Sequence, residues 1–134
     1  MLTLPSSVRI YLSTTPTDMR KGHDGLRALV ERELGADVYS GHLFVFVSRK
    51  GDRLKILTWD HGGFVLWYKR LEQGRFKLPH LPPGQRSVPL EATQLAMLLD
   101  GIDYSRVRRP SRWRPPSQKS AQKWLGGIDK ADRS

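Results

Sequence analysis

The chain has 134 residues, 38% of them hydrophobic, with no cysteine and a formal net charge of +10. This length suits one domain with one modest core, and the lack of thiols excludes both a disulfide framework and a thiolate zinc site. No apolar run approaches the roughly 20 residues of a membrane span, and the opening MLTLPSSVR lacks signal-peptide character, so a cytoplasmic protein with no membrane partner is expected.

The charge is uneven. Residues 1–103 hold 14 basic and 11 acidic side chains, whereas residues 104–134 hold 9 basic and 2 acidic, which is +3 against +7. In chain order, Val8 to Leu12 alternates and is rich in β-formers, which predicts a first strand. Thr17 or Asp18 is placed to cap a helix beginning near Met19, with Met19, Leu26, Leu29, Val30 and Leu34 on its inner face and Gly35 at its end. Gly22 and Gly25 cost about 1 kcal/mol each inside such a helix, which points to a close neighbour there.

From His42 the pattern changes to strands. Leu43 to Val47 is unbroken apolar sequence, as for a strand covered on both faces. Arg49-Lys50-Gly51-Asp52 reads as a tight turn into a strand over Arg53–Trp59, and Asp60 to Gly63 turns the chain into a third strand over Phe64–Leu71. Gln73-Gly74 leads to a fourth over Arg75–Leu78, completing an antiparallel meander that needs a helix to cover its apolar face. The proline-bearing stretch His80–Pro89 reads as a loop. Leu90–Ile102 reads as a short helix with Leu95, Leu98, Leu99 and Ile102 inward. Residues 104–134 are Pro- and Arg-rich and poor in aliphatics, the composition of a flexible basic tail. The expected fold is α+β: one small domain over residues 1–103, with an antiparallel β-meander packed against a helix, a short C-terminal helix and that tail.

Three groups of residues could meet an acidic partner. On the predicted sheet, Arg53, Lys55, Lys69, Arg70, Arg75 and Lys77 are interleaved with Trp59 and Trp67. Alternation puts the cations on one face, where they could neutralise phosphates while the indoles stack on bases. The bland reading is a half-exposed sheet with solvated Lys and Arg, and the undetermined register leaves open which Trp shares the Lys55 face. Arg20 and Lys21, within Asp18-Met19-Arg20-Lys21-Gly22-His23-Asp24-Gly25, lie where helix amides could hold an anion, although a capped helix with solvated charges is the favoured reading of this segment. The tail adds Arg108, Arg109, Arg112 and Arg114, suited to sequence-independent attraction to DNA.

Catalytic patterns are lacking. The four histidines are scattered without ligand spacing, there is no nucleophile elbow, and the aspartates fall mostly in turns and caps, where Asp serves local structure. No catalytic residue, metal or cofactor is expected, and a magnesium-dependent nuclease is the disfavoured alternative.

PTDMRKGHDGL (16–26), SGHLFVFVSRKGDRLKILTWDHGGFVLWYKRLEQGRFKLP (40–79) and LEATQLAMLLDGID (90–103) together resemble the TnpB accessory proteins of the insertion sequence 66 family of bacterial transposable elements. The family's pattern falls on Asp18, Arg20, Lys21, Gly22, Gly25, Gly51, Asp52, Arg53, Lys55, Trp59, Lys69, Arg70 and Arg75, and His23 stands where the pattern has a bulky aromatic. The resemblance implies a non-catalytic, nucleoid-associated protein that assists a separately encoded DDE transposase. Its partners are then DNA, the cognate transposase and other element-encoded proteins. The alternative is an adaptor that docks the transposase while only the tail touches DNA. The DNA recognised, the oligomeric state and the transposition step served are open at this level.

Overall fold

In the computed structural model, residues 7–101 are described. The elements are β1 (Ile10–Ser13), α1 (His23–Arg32), β2 (Leu43–Val47), β3 (Arg53–Asp60), β4 (Gly63–Arg70), β5 (Ser87–Leu90) and α2 (Ala92–Asp100). The strands form one mixed sheet in the order β4-β3-β2-β1-β5. β2, β3 and β4 are the antiparallel meander, β1 runs parallel to β2, and β5 runs antiparallel to β1. A parallel neighbour cannot be reached by a tight turn, and α1 is the crossover that the β1–β2 pairing requires.

The core divides into two layers, one on each face of the sheet. Ile10, Leu12, Leu43, Val45, Val47, Leu54, Ile56, Val88 and Leu90 pack against Leu95 and Leu98 of α2. Phe44, Phe46 and Leu57 pack against Leu26 and Val30 of α1, together with Val38. All five residues of β2 are buried because successive side chains enter opposite layers that are both covered.

Local chemistry sets the ends of the elements. α1 starts at His23 rather than near Met19, and its N-cap, Gly22, has no side chain to accept from the helix amides. The reason is Asp18: its carboxylate accepts from the Arg20 backbone N–H at 2.9 Å and from the Arg20 guanidinium, closing a local turn instead of capping a helix. Gly22 therefore lies outside the helix interior. Gly25 lies inside it, and a Cβ there would stand 3.0 Å from the flexible Lys21 side-chain stem. Exposed His23 opens the helix toward solvent rather than packing. At the other end α1 stops at Arg32 with Glu33 as its C-cap, two residues before Gly35, which takes φ +61° as the Ala36 N–H donates to the Val30 carbonyl. α2 has a capping box, Glu91 with Gln94, and stops at Gly101.

Two expectations are corrected. Arg75–Leu78 is not a strand of the meander. After β4 the chain crosses the end of the sheet, where the Phe76 N–H donates to the Gly51 carbonyl at 2.7 Å and the Phe76 ring enters the α2 layer. Burial of one aromatic, and not period-two alternation, organises that segment. The stretch read as a loop instead ends in β5, whose residue Pro89 lies opposite Tyr11. Proline is compatible with pairing there because β5 is an edge strand. Residues 104–134, with Arg108, Arg109, Arg112 and Arg114, lie outside the described residues, as does Ile102.

Candidate nucleic-acid interface

Register decides which side chains share a face. Arg53 pairs with Arg70, Lys55 with Tyr68, Leu57 with Leu66 and Trp59 with Phe64, all on the α1 side. Leu54 pairs with Lys69 and Ile56 with Trp67 on the α2 side. Trp59 is therefore the indole on the Lys55 face, while Trp67 and Lys69 occupy the other. Both faces are apolar at their centres, so the expected division into one cationic and one apolar face does not occur.

Two of the cations serve as internal staples. Lys55 Nζ donates to the carbonyls of Met19 (2.9 Å) and Lys21 (2.8 Å) and lies 5.2 Å from the centre of the Tyr68 ring. It holds the turn before α1 against the sheet. Lys69 Nζ donates to the Leu99 carbonyl at 2.6 Å, in the last turn of α2, where a cation also complements the helix dipole. Trp59 likewise belongs to a local cluster. Its ring meets Tyr39 and Phe64 edge-on with centroids 5.1 and 4.9 Å away, and the Arg27 guanidinium lies 4.8 Å from the Phe64 centroid.

The remaining cations gather at one end of the sheet. The β2–β3 turn carries Arg49 and Lys50, both exposed, and Arg53 opens β3 directly opposite Arg70 at the end of β4. Exposed Arg75 packs its stem against Gly51, the turn glycine with φ +79°, within 3.5 Å of where a Cβ would be. A cavity of about 260 Å³ is lined by Thr17, Met19, Ser48, Arg49, Lys50, Asp52 and Arg53. The turn bearing Arg20 and Lys21 thus adjoins this end through Met19, whereas Lys77 is exposed beyond Phe76.

Like charges directly opposite one another across two strands repel. Among the described residues, no carboxylate lies within 4.0 Å of Arg49, Lys50, Arg53, Arg70, Arg75 or Lys77; the ion pairs are Asp18–Arg20 and Asp24–Arg27, and the Asp60 carboxylate meets the His61 imidazole at 2.9 Å. Asp52 instead accepts from the Ser48 hydroxyl. Arg20 is the committed member of the set: its hydrogen bonds hold the Asp18 carboxyl well below the usual carboxylate range. Arg49 and Lys50 belong to the basic set of the segment from His42 to Pro79 but were not among the expected contact residues, because strand alternation assigns no face to turn residues.

No group of three or more metal-ligating side chains occurs among the described residues, and none of their helices is long and apolar enough to cross a membrane. The fold and its charged end define a small α+β protein with an open, cation-lined surface. The model of the IS66 Orf2-like protein family matches residues 8–109, and the chain belongs to that family. It is thus an accessory protein associated with transposition, and the family is not a known catalytic one. The matched segment includes Arg108 and Arg109.

Two uncharacterized proteins of Sinorhizobium fredii (strain NBRC 101917 / NGR234) are similar to it. Protein y4jC is 39% identical over 108 residues, covering 81% of this chain and 91% of its own. Protein y4hO is 39% identical over 116 residues, covering 86% and 96%. No solved structure matches.

Proposed function

We propose that this protein is a non-catalytic DNA-binding factor that assists a separately encoded DDE transposase, and that its folded body meets DNA through the β2–β3 turn end of the sheet. The observation that carries this reading is the opposed pair Arg53–Arg70, without a carboxylate neighbour among the described residues and with Arg49 and Lys50 beside it. A phosphate backbone relieves that repulsion, and each neutralised phosphate releases counterions. The tail arginines Arg108, Arg109, Arg112 and Arg114 add attraction that does not depend on sequence.

The test is fluorescence anisotropy with labelled duplexes of element ends and of random sequence, across a salt series. Arg53→Glu/Arg70→Glu in the full chain is expected to weaken binding to both duplexes and to reduce the salt slope by about two. Circular dichroism confirms that the variant is folded. Unchanged affinity in a folded variant sinks the reading. That outcome favours the adaptor reading, in which the body docks the transposase and only residues 104–134 touch DNA. The concentration of charge in those residues, 9 basic against 2 acidic, supports that second reading.

A further inference from the structure

The two edges of the sheet are finished differently. β5 is four residues long and carries Pro89, which has no N–H to offer a further strand. β4 is eight residues long, contains neither proline nor a bulge, and has no neighbour on its outer side among the described residues. Its middle is apolar: Val65, Trp67 and Tyr68 are 48%, 42% and 49% exposed, and charge appears only at its end, as Lys69 and Arg70. Long, unguarded apolar edges pair with another strand.

The sequence of β4 is matched to itself. The tight turn at His61-Gly62 makes Asp60 and Gly63 a hydrogen-bonded pair, so Phe64, Leu66, Tyr68 and Arg70 direct their backbone N–H and C=O groups outward. Antiparallel pairing of two copies about a two-fold axis at Leu66 sets Phe64 opposite Tyr68 and Val65 opposite Trp67. Aromatic–aromatic and aromatic–β-branched pairs of this kind stabilise a sheet. The same register separates the two Lys69-Arg70 ends and brings each Arg70 opposite Gly62 of the other copy, in the turn that follows exposed Asp60 at the end of β3. A parallel arrangement would instead stack the cations.

We infer that β4 is a self-association edge: two copies of this chain join antiparallel through β4 into one continuous ten-stranded sheet, twice the five strands of each copy. The two Arg70 residues then lie about 26 Å apart along the strands, at roughly 3.3 Å per residue. The dimer carries one cationic end on each side of its junction.

Sedimentation equilibrium of the full chain, in salt high enough to remove bound nucleic acid, reads the association directly and does not depend on DNA binding. The wild type is expected to be a monomer–dimer system. Val65→Lys/Trp67→Lys places lysine opposite lysine twice in the dimer and is expected to raise the dissociation constant by roughly 30-fold or more. Both positions are solvent-exposed, so the monomer accommodates the change. Val65→Glu/Trp67→Lys places glutamate opposite lysine in both pairs and is expected to restore the dimer. A wild type that is monomeric at all concentrations overturns the inference and leaves the edge to a strand from another protein. It is equally overturned if the Lys/Lys variant dimerises like the wild type, or if the Glu/Lys variant is as weak as the Lys/Lys variant.

Discussion

Lys55 and Lys69 lie on neighbouring strands but face opposite sides of the sheet, and each ends on backbone carbonyls of a distant segment. A charged donor that satisfies carbonyls in a half-buried site contributes about 1–2 kcal/mol. Lys55→Met, which keeps the apolar stem, is therefore expected to lower the melting temperature by about 4–8 °C for each kcal/mol lost. A scanning melt checks this, and no change would mean that the contacts to Met19 and Lys21 are energetically idle. Charge reversal at Lys55 and Lys69 consequently perturbs the fold as well as any DNA contact, whereas Arg70 is exposed and Arg53 is half-buried with its Nε shielded from solvent, so the Arg53→Glu/Arg70→Glu variant is read together with its circular dichroism. Asp18 offers a residue-level test of pH. Its carboxyl titrates below the usual range because Arg20 hydrogen-bonds the ionised form, so its stabilisation is complete above the unfolded value of about 3.9 and is lost as the pH falls through the lower folded value. The gap in melting temperature between wild type and Asp18→Asn should hold constant from neutral pH to about pH 5 and close below about pH 4. A gap that persists in acid would show that Asp18 acts through packing rather than charge.

At the scale of elements, turn chemistry was more legible than strand pairing. The residues around Gly51 and Gly62 identify their turns because only glycine takes positive φ without strain, and both do so, at +79° and +88°. His61 is the non-glycine exception, at φ +45° in a turn that favours Asn-Gly. His61→Asn should raise stability by about 0.5–1 kcal/mol, measured by urea unfolding, without altering the register. A loss of stability would show that the exposed contact between the Asp60 carboxylate and the His61 imidazole outweighs the backbone strain. β5 was hidden because a proline among four residues reads as a breaker, and its edge position becomes visible only when the whole sheet is assembled. Arg75–Leu78 showed the opposite problem. Its alternation suits a strand, but burying Phe76 beneath the α2 layer satisfies the same pattern without a partner strand.

For the whole molecule, the positive charge has two locations with separate consequences. Replacing Arg108, Arg109, Arg112 and Arg114 with alanine should weaken binding to element ends and to random DNA by the same factor, and shallow the salt slope by up to about four. Gel shifts across a salt series distinguish this from the effect of Arg53→Glu/Arg70→Glu, and a selective loss on element ends alone would contradict a generic role for those arginines. The sequence by itself determined the α+β class, the two helices, the buried β2, the turn positions, the separation of charge and the family, because these depend on residue type and short-range periodicity. Only the tertiary structure decided that β1 pairs with β2 and β5, that Lys55 and Lys69 face inward to carbonyls, and that Arg49, Lys50, Arg53 and Arg70 share one end. Those features depend on strand order and register, and a shift of one residue would send each of those side chains to the opposite face.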